Sequence, residues 1–378
     1  MNVPEIDPSE LEREIRAGAR VSILDVRSDE DFAAWRLDTG SVPLSQRYWR
    51  QVVDDPAALA GLVNSSGPIR VICARGLSSQ QAVRALRENA VDATSVTGGM
   101  IGWSQLLRHD EVPGVVGPRV DQFRREARGC LSYLVSCGGQ ALVVDPAPDV
   151  EPYLRFACEH DLTITRILDT HVHADHLSGL RVLADATGAI AHVSQGAITR
   201  GFHYGKLSAV TDGTSLMVGS AVLRVVSLPG HTTDNVGVLL PGQALIAGDS
   251  LFADSVARPD LEVGDSGAPR AARQLFRTIH EHILTLGDDM LLLPCHYPGG
   301  RIDRPIAPTL GQARDAVALL GLDEDAFIEQ TLAAMPPRPL NYLDIIAVNL
   351  GAKHDDVTGL EVGANNCAAT NTRQESPS

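Results

Sequence analysis

The chemistry-bearing residues of this chain are concentrated in four short runs. Thr170-His171-Val172-His173-Ala174-Asp175-His176 is the densest, and Pro229-Gly230-His231, Gly248-Asp249 and Pro294-Cys295-His296 follow it. Together they offer up to five imidazoles and two carboxylates, the donor mix that borderline metals such as zinc and iron prefer. A single histidine after a strand is ordinarily a hydrogen-bonded surface residue. A packed HxHxDH with three further strand-end His or Asp residues points instead to convergence on one metal. His109, His160, His192, His203 and His354 stand alone, and His280 and His282 face different sides of a helix, so none of these joins the set. A separate reactive candidate is Cys73, in the run Val71-Ile72-Cys73-Ala74-Arg75-Gly76-Leu77-Ser78-Ser79. A cysteine between a strand and a helix N-terminus, with Arg75 nearby, sits where a thiolate is stabilised and could accept a sulfane sulfur. A buried structural cysteine is the ordinary alternative.

The elements that must position these residues can be read from periodicity. Ser9–Ala17 and Ser79–Asn89 have helical spacing, while 21–26, 68–73 and 93–96 are apolar strands. Strands alternating with helices imply a parallel α/β sheet. After a Pro/Gly-rich stretch, VPGVVGP, the texture changes to strands at 130–135 and 141–144 joined by Cys137-Gly138-Gly139-Gln140, a hairpin signal. Further strands at 164–168, 223–228, 244–247 and 290–293 each run directly into one of the four metal runs, with helices at 177–187 and 271–286. These observations divide the chain into a first domain (1–112), a linker (113–119), a second domain (120–354) and a polar, loosely ordered tail (355–378).

Composition excludes several functions. A net charge of −15 argues against a nucleic-acid backbone as partner. No apolar run is long enough for a membrane span, and the acidic start lacks the pattern of a signal peptide. Six dispersed cysteines read as reduced thiols of a cytoplasmic protein. Nothing in the sequence decides oligomeric state, and a homo-oligomer stays open.

THVHADH, PGH at 229–231, GD at 248–249 and CH at 295–296 resemble the motif series of the metallo-β-lactamase fold, which implies an αββα sandwich over about residues 120–350. Within that superfamily THVHADHLSG, the strand Cys130-Leu131-Ser132-Tyr133-Leu134 and Ala257-Arg258-Pro259-Asp260 resemble persulfide dioxygenases more than glyoxalase II enzymes. The resemblance implies His171, His231 and Asp249 as ligands of one Fe(2+), a two-histidine, one-carboxylate set with positions open for O2 and a low-molecular-weight thiol persulfide. His173, Asp175, His176 and His296 then orient ligands or substrate. It also places Arg258 near the site, either anchoring an anionic group or paired with Asp260.

The same residues suffice for two Zn(2+) ions: His171, His173 and His231 on one, Asp175, His176 and His296 on the other, and Asp249 bridging. A dinuclear zinc hydrolase of thioesters or lactones is therefore the rival reading.

Leu24-Asp25-Val26-Arg27, the Cys73 loop, and Val96-Thr97-Gly98-Gly99 followed by Trp103 resemble the rhodanese family across residues 1–110. Active rhodaneses often carry arginines where this chain has Ala74 and Ser78, which leaves the sulfur donor to Cys73 open. The expected whole is an iron-dependent persulfide dioxygenase that forms sulfite, joined to a sulfur-carrying rhodanese-like domain. A non-catalytic persulfide carrier or sensor is the third reading, and an open-sided ligand set counts against it.

Overall fold

A computed structural model describes residues 3–56, 67–357, 359–361 and 367–369. The first domain is built on a five-stranded parallel sheet in the order Glu5–Ile6, Ala93–Val96, Ile69–Ile72, Ser22–Asp25, Leu44–Gln46. Its central strands are buried on both faces because successive side chains alternate. Ile23 and Ile72 pack with Leu11, Ile15 and Met100, whereas Leu24 and Val71 pack with Ala82, Val83 and Leu86. The helix Pro8–Arg16 starts where Asp7 accepts a hydrogen bond from the Ser9 N–H at 2.8 Å, with proline in its first turn.

The second domain stacks two sheets. The larger runs Leu207–Val210, Ile190–Ser194, Thr163–Leu168, Gln140–Val144, Cys130–Cys137, Arg119–Arg125, Arg108–Glu111. The smaller runs Ser215–Val218, Ala221–Ser227, Val236–Leu240, Ala244–Ile246, Leu291–Leu293. Tyr133, Val135, Val144 and Leu168 meet Val225, Val238, Ile246 and Leu293 between the sheets. Side chains of opposite parity face outward to helices: Leu134 and Val143 to Phe156 and Leu183, Leu245 and Leu292 to Leu275 and Phe327. The expected αββα sandwich is the architecture observed, and the four metal-run strands end along one edge of it.

Three expectations need correction. VPGVVGP is not a linker between domains. It joins Arg108–Glu111 to Arg119–Arg125, which pair antiparallel, so it is a hairpin connection within the second sheet and the crossing between domains precedes it. Proline and glycine mark tight turns as readily as linkers, and Arg-His-Asp-Glu carries no apolar alternation to betray a strand.

The helix expected from 177 begins only at Leu180. The Leu177 N–H donates to Glu361 at 2.8 Å and the Ser178 N–H to Asn349 at 3.0 Å, so distant side chains hold these residues ahead of the first turn.

The tail, finally, contains packed residues. Glu361 and Cys367 are buried, and Ala368–Ala369 pairs with Val256–Ala257.

The two domains are in contact. The Arg16 guanidinium donates to both Glu126 oxygens at 2.7 and 2.6 Å, and the Trp35 indole N–H donates to the Ala127 carbonyl at 2.9 Å. Arg125, wholly buried, donates to the Ser104 carbonyl at 2.9 Å and to both oxygens of Glu361 at 2.9 and 3.1 Å. Burial alone would raise the Glu361 carboxyl; Arg125 and Arg128 outweigh it and hold it at about 2, below its ordinary 4.5. Its stabilising contribution, on the order of 3 kcal/mol, is therefore complete above about pH 4.5 and is lost as pH falls through about 2. Glu361→Gln should destabilise the protein at neutral pH by about 3–5 kcal/mol, because it leaves a buried guanidinium without its counter-charge. Denaturant unfolding at several pH values should show the gap to wild type closing only below about pH 4; a gap independent of acidification would rule the pair out as its source.

Candidate metal centre

Each strand-end run delivers its side chains through a specific local device. Asp249 follows Gly248, whose φ is +55° and where a Cβ would lie 2.3 Å from Asn235 Oδ1. Only glycine lets the chain turn there. The Asn235 amide in turn donates to the carbonyls of Leu228 (2.8 Å) and Asp249 (3.3 Å), so it ties the His231 and Asp249 turns together.

His231 donates from Nδ1 to the Arg258 carbonyl at 2.6 Å, which leaves Nε2 aimed at Asp249 Oδ2, 3.5 Å away. His171 is held at Nδ1 by the Thr170 hydroxyl at 3.0 Å, and its Nε2 lies 3.9 Å from the same Oδ2. His231 Nε2, His171 Nε2 and both Asp249 oxygens are buried without a hydrogen-bond partner. Unsatisfied buried donors and acceptors of this kind are rare. Imidazoles pinned at one nitrogen and bare at the other are the usual arrangement of metal ligands. Donor atoms of His171, His231 and Asp249 all fall within 4.8 Å of one another, and the set fits a divalent ion.

The other histidines are arranged differently. His173 Nε2 faces Asp145 Oδ1 at 3.2 Å. Burial would pull that imidazole down, but Asp145 prevails and lifts it to about 9. Asp175 gathers His176 Nδ1 at 3.1 Å and His296 Nε2 at 3.5 Å, and His296 also lies 3.3 Å from Asp249 Oδ1. Asp175, His176 and His173 form a second group of close donors. The structure thus brings all seven sequence candidates together but separates His173 from the pair His171 and His231.

Sequence reading missed Asp145. This carboxylate accepts from the Thr170 N–H (2.7 Å) and hydroxyl (2.9 Å) and from the Cys295 thiol (2.9 Å), besides facing His173. It follows the strand Gln140–Val144 directly, the same strand-end position that marked Asp249. Cys130 and Cys367 were also missed as close neighbours of His296.

Of the two roles open to Arg258, the structure displays the pairing. Its guanidinium donates to Asp260 at 2.7 and 3.0 Å and to the Pro337 carbonyl at 3.1 Å, and its backbone carbonyl holds His231.

Cys73 is buried, and its sulfur receives the Gly76 N–H at 3.1 Å with the Ser79 hydroxyl at 3.3 Å, at the start of the helix Leu77–Glu88. Backbone donors at a helix start favour an anionic sulfur. The loop is pressed on Gly99, where a Cβ would lie 2.2 Å from the Cys73 carbonyl oxygen. Arg75 does not serve as the expected nearby cation: it is largely exposed and turned toward Asp356, 3.9 Å away.

His171→Ala, His231→Ala or Asp249→Ala should each remove most of the bound metal. His173→Ala should weaken binding by no more than about 10- to 100-fold, the range for residues that orient ligands. Elemental analysis after dialysis distinguishes the four variants. Equal loss from all of them would contradict the separation of His173 from the ligand set.

Comparison with known proteins agrees with this geometry. A model of the metallo-β-lactamase superfamily matches residues 125–296, and a model of the rhodanese-like domain matches residues 7–106. The beta-lactamase hydrolase-like protein of Agrobacterium fabrum is 29% identical over 273 residues, 62% of this chain and 60% of that protein. The chain thus spans about 60% of the length of the curated relatives it matches first.

Among solved structures, a metallo-beta-lactamase from Staphylococcus aureus is 28% identical with a TM-score of 0.57, covering 63% of this chain and 74% of that one. ETHE1 from Myxococcus xanthus is 25% identical with a TM-score of 0.53, covering 66% of this chain and 100% of that one. This chain is a rhodanese-like domain followed by a metallo-β-lactamase domain.

Proposed function

We propose that the second domain is an iron-dependent persulfide dioxygenase and that the rhodanese-like domain carries sulfur on Cys73. The observation that carries this reading is the ligand set itself. His171, His231 and Asp249 converge with bare donor atoms, while His173, pinned at Nε2 by Asp145 and bare at Nδ1, falls outside their 4.8 Å group. Three protein donors leave coordination positions open, as non-haem iron oxygenases do. The likeness to ETHE1, a persulfide dioxygenase, supports the same assignment.

The overall reaction consumes one thiol persulfide, one O2 and one water. The sulfur–sulfur bond breaks, the outer sulfur leaves as sulfite, and the inner sulfur returns as the thiol. Iron held by the three residues would supply the redox step and a soft site for the terminal sulfur. The chain's own contribution is orientation. The Arg258 carbonyl and Thr170 hydroxyl fix the two imidazoles, and Asn235 fixes the Asp249 turn.

The Cys73 loop takes up a sulfane sulfur when its thiolate attacks a donor persulfide and displaces the donor's thiolate. Substrate and oxygen are both small molecules, and the net charge of −15 gives nucleic acid no footing. Among the described residues no helix is long and apolar enough to cross a membrane. We place the enzyme in the cytoplasm, where thiols are kept reduced.

A dinuclear zinc hydrolase of thioesters or lactones has one observation in its favour. Asp175 holds His176 and His296 beside Asp249, so a second group of donors exists, and the Agrobacterium relative carries a hydrolase name. That reading would use the bare Nδ1 of His173, whose Nε2 stays on Asp145.

Anaerobically purified protein decides between them. About one iron per chain, with oxygen uptake on glutathione or coenzyme A persulfide, is expected. Cys73→Ser should keep uptake of free persulfide and lose sulfur loading by mass spectrometry, while Asp249→Ala should do the reverse. Two zinc ions per chain with thioester hydrolysis and no oxygen uptake would replace the dioxygenase by the hydrolase.

A further inference from the structure

The C-terminal segment returns to the metal centre as a short strand. Ala368–Ala369 pairs antiparallel with Val256–Ala257, and the Cys367 carbonyl accepts the Arg258 N–H at 3.0 Å. Backbone hydrogen bonds therefore fix where Cys367 lies. Its side chain is 1% exposed, and its sulfur, a carboxylate oxygen of Asp249 and a ring nitrogen of His296 all lie within 4.8 Å of one another.

We propose that Cys367 is a sulfur ligand of the metal centre, delivered by the C-terminal segment on the His296 side of Asp249. The inference rests on a metal being present at the centre and not on that metal being iron.

Packing alone explains half of the position. Ala174 and Leu261 cover one side of Cys367, as they would any small core residue. The other side is unlike a core. Asp249 is fully buried, and neither of its oxygens has a hydrogen-bond partner. A carboxylate left in that state beside a neutral thiol is costly. A divalent cation held at Asp249 would gain the sulfur as a further donor, with the His296 imidazole beside it. The thiol releases its proton to solvent as the metal–sulfur bond forms. Zinc and iron both accept thiolate, so either metal suits the position.

The Arg258 backbone gives the arrangement its economy. Its carbonyl holds His231, and its N–H holds Cys367, so one peptide turn sets a ligand from the sandwich edge and a ligand from the distant C-terminal segment. The guanidinium, locked on Asp260 and Pro337, keeps that turn from moving.

The test uses the full chain in two metal forms. Loaded with cobalt(II), the wild type should show a thiolate-to-cobalt charge-transfer band in the near ultraviolet. Cys367→Ser should lose the band while still binding cobalt, and Cys130→Ser should keep it. Loaded with zinc, the wild type should show a sulfur neighbour at about 2.3 Å by X-ray absorption. This second measurement needs no variant and so does not depend on Cys367→Ser folding. A band that survives in Cys367→Ser, a band lost only in Cys130→Ser, or zinc without a sulfur neighbour overturns the assignment. Cobalt bound without sulfur overturns Cys367 alone and leaves the proposed function standing. A chain that binds no metal overturns both.

Discussion

Buried carboxylates and imidazoles lose the water that would solvate them and need partners in its place, and the second domain gathers its set around Asp249. Its two oxygens face different partners: His171 and His231 approach Oδ2, His296 approaches Oδ1. In water each of these groups would be solvated at little cost, whereas in the interior each unmet donor or acceptor costs on the order of 1–3 kcal/mol. A bound cation would meet the unmet groups of this centre together. The strands, the Gly248 turn and the Asn235 bridge are the means by which one sandwich edge brings the ligands within reach.

Around that core a ring of hydrogen bonds sets directions. Asp145 is its hub, since it receives Thr170 and Cys295 and faces His173, and Thr170 in turn steadies His171. The arrangement distinguishes histidines that spacing makes equivalent. His171 and His173 lie two residues apart in one motif, yet His171 is pinned at Nδ1 and presents a bare Nε2 to Asp249, whereas His173 is pinned at Nε2 by Asp145 and bare at Nδ1. A ligand set is thus a matter of what occupies the second nitrogen, which belongs to tertiary structure.

This difference also explains what the sequence disclosed. The strands ending in His171, His231, Asp249 and His296 were legible because apolar runs break abruptly into glycine, proline and ligand residues. The parallel first sheet was legible from the apolar strands at 21–26, 69–72 and 93–96 with helices between them. The strands Arg119–Arg125 and Arg108–Glu111 were not, since they are rich in charge: Arg124 pairs with Asp110 across the two strands and Arg125 with the distant Glu361. The same long-range pairing hid the packed C-terminal residues, whose polar composition reads as solvent-exposed chain. Asp145 escaped notice because nothing next to it resembles a motif; its role exists only once Thr170, His173 and Cys295 surround it.

The contact between the domains gives the molecule a built-in optical probe. The Trp35 indole, 8% exposed, belongs to the first domain and hydrogen-bonds the Ala127 carbonyl of the second. Indole emission shifts to longer wavelength when the ring meets water. Parting of the two halves wets this ring. Trp35 is one of three tryptophans, so the emission of a variant that keeps Trp35 alone reads out domain docking.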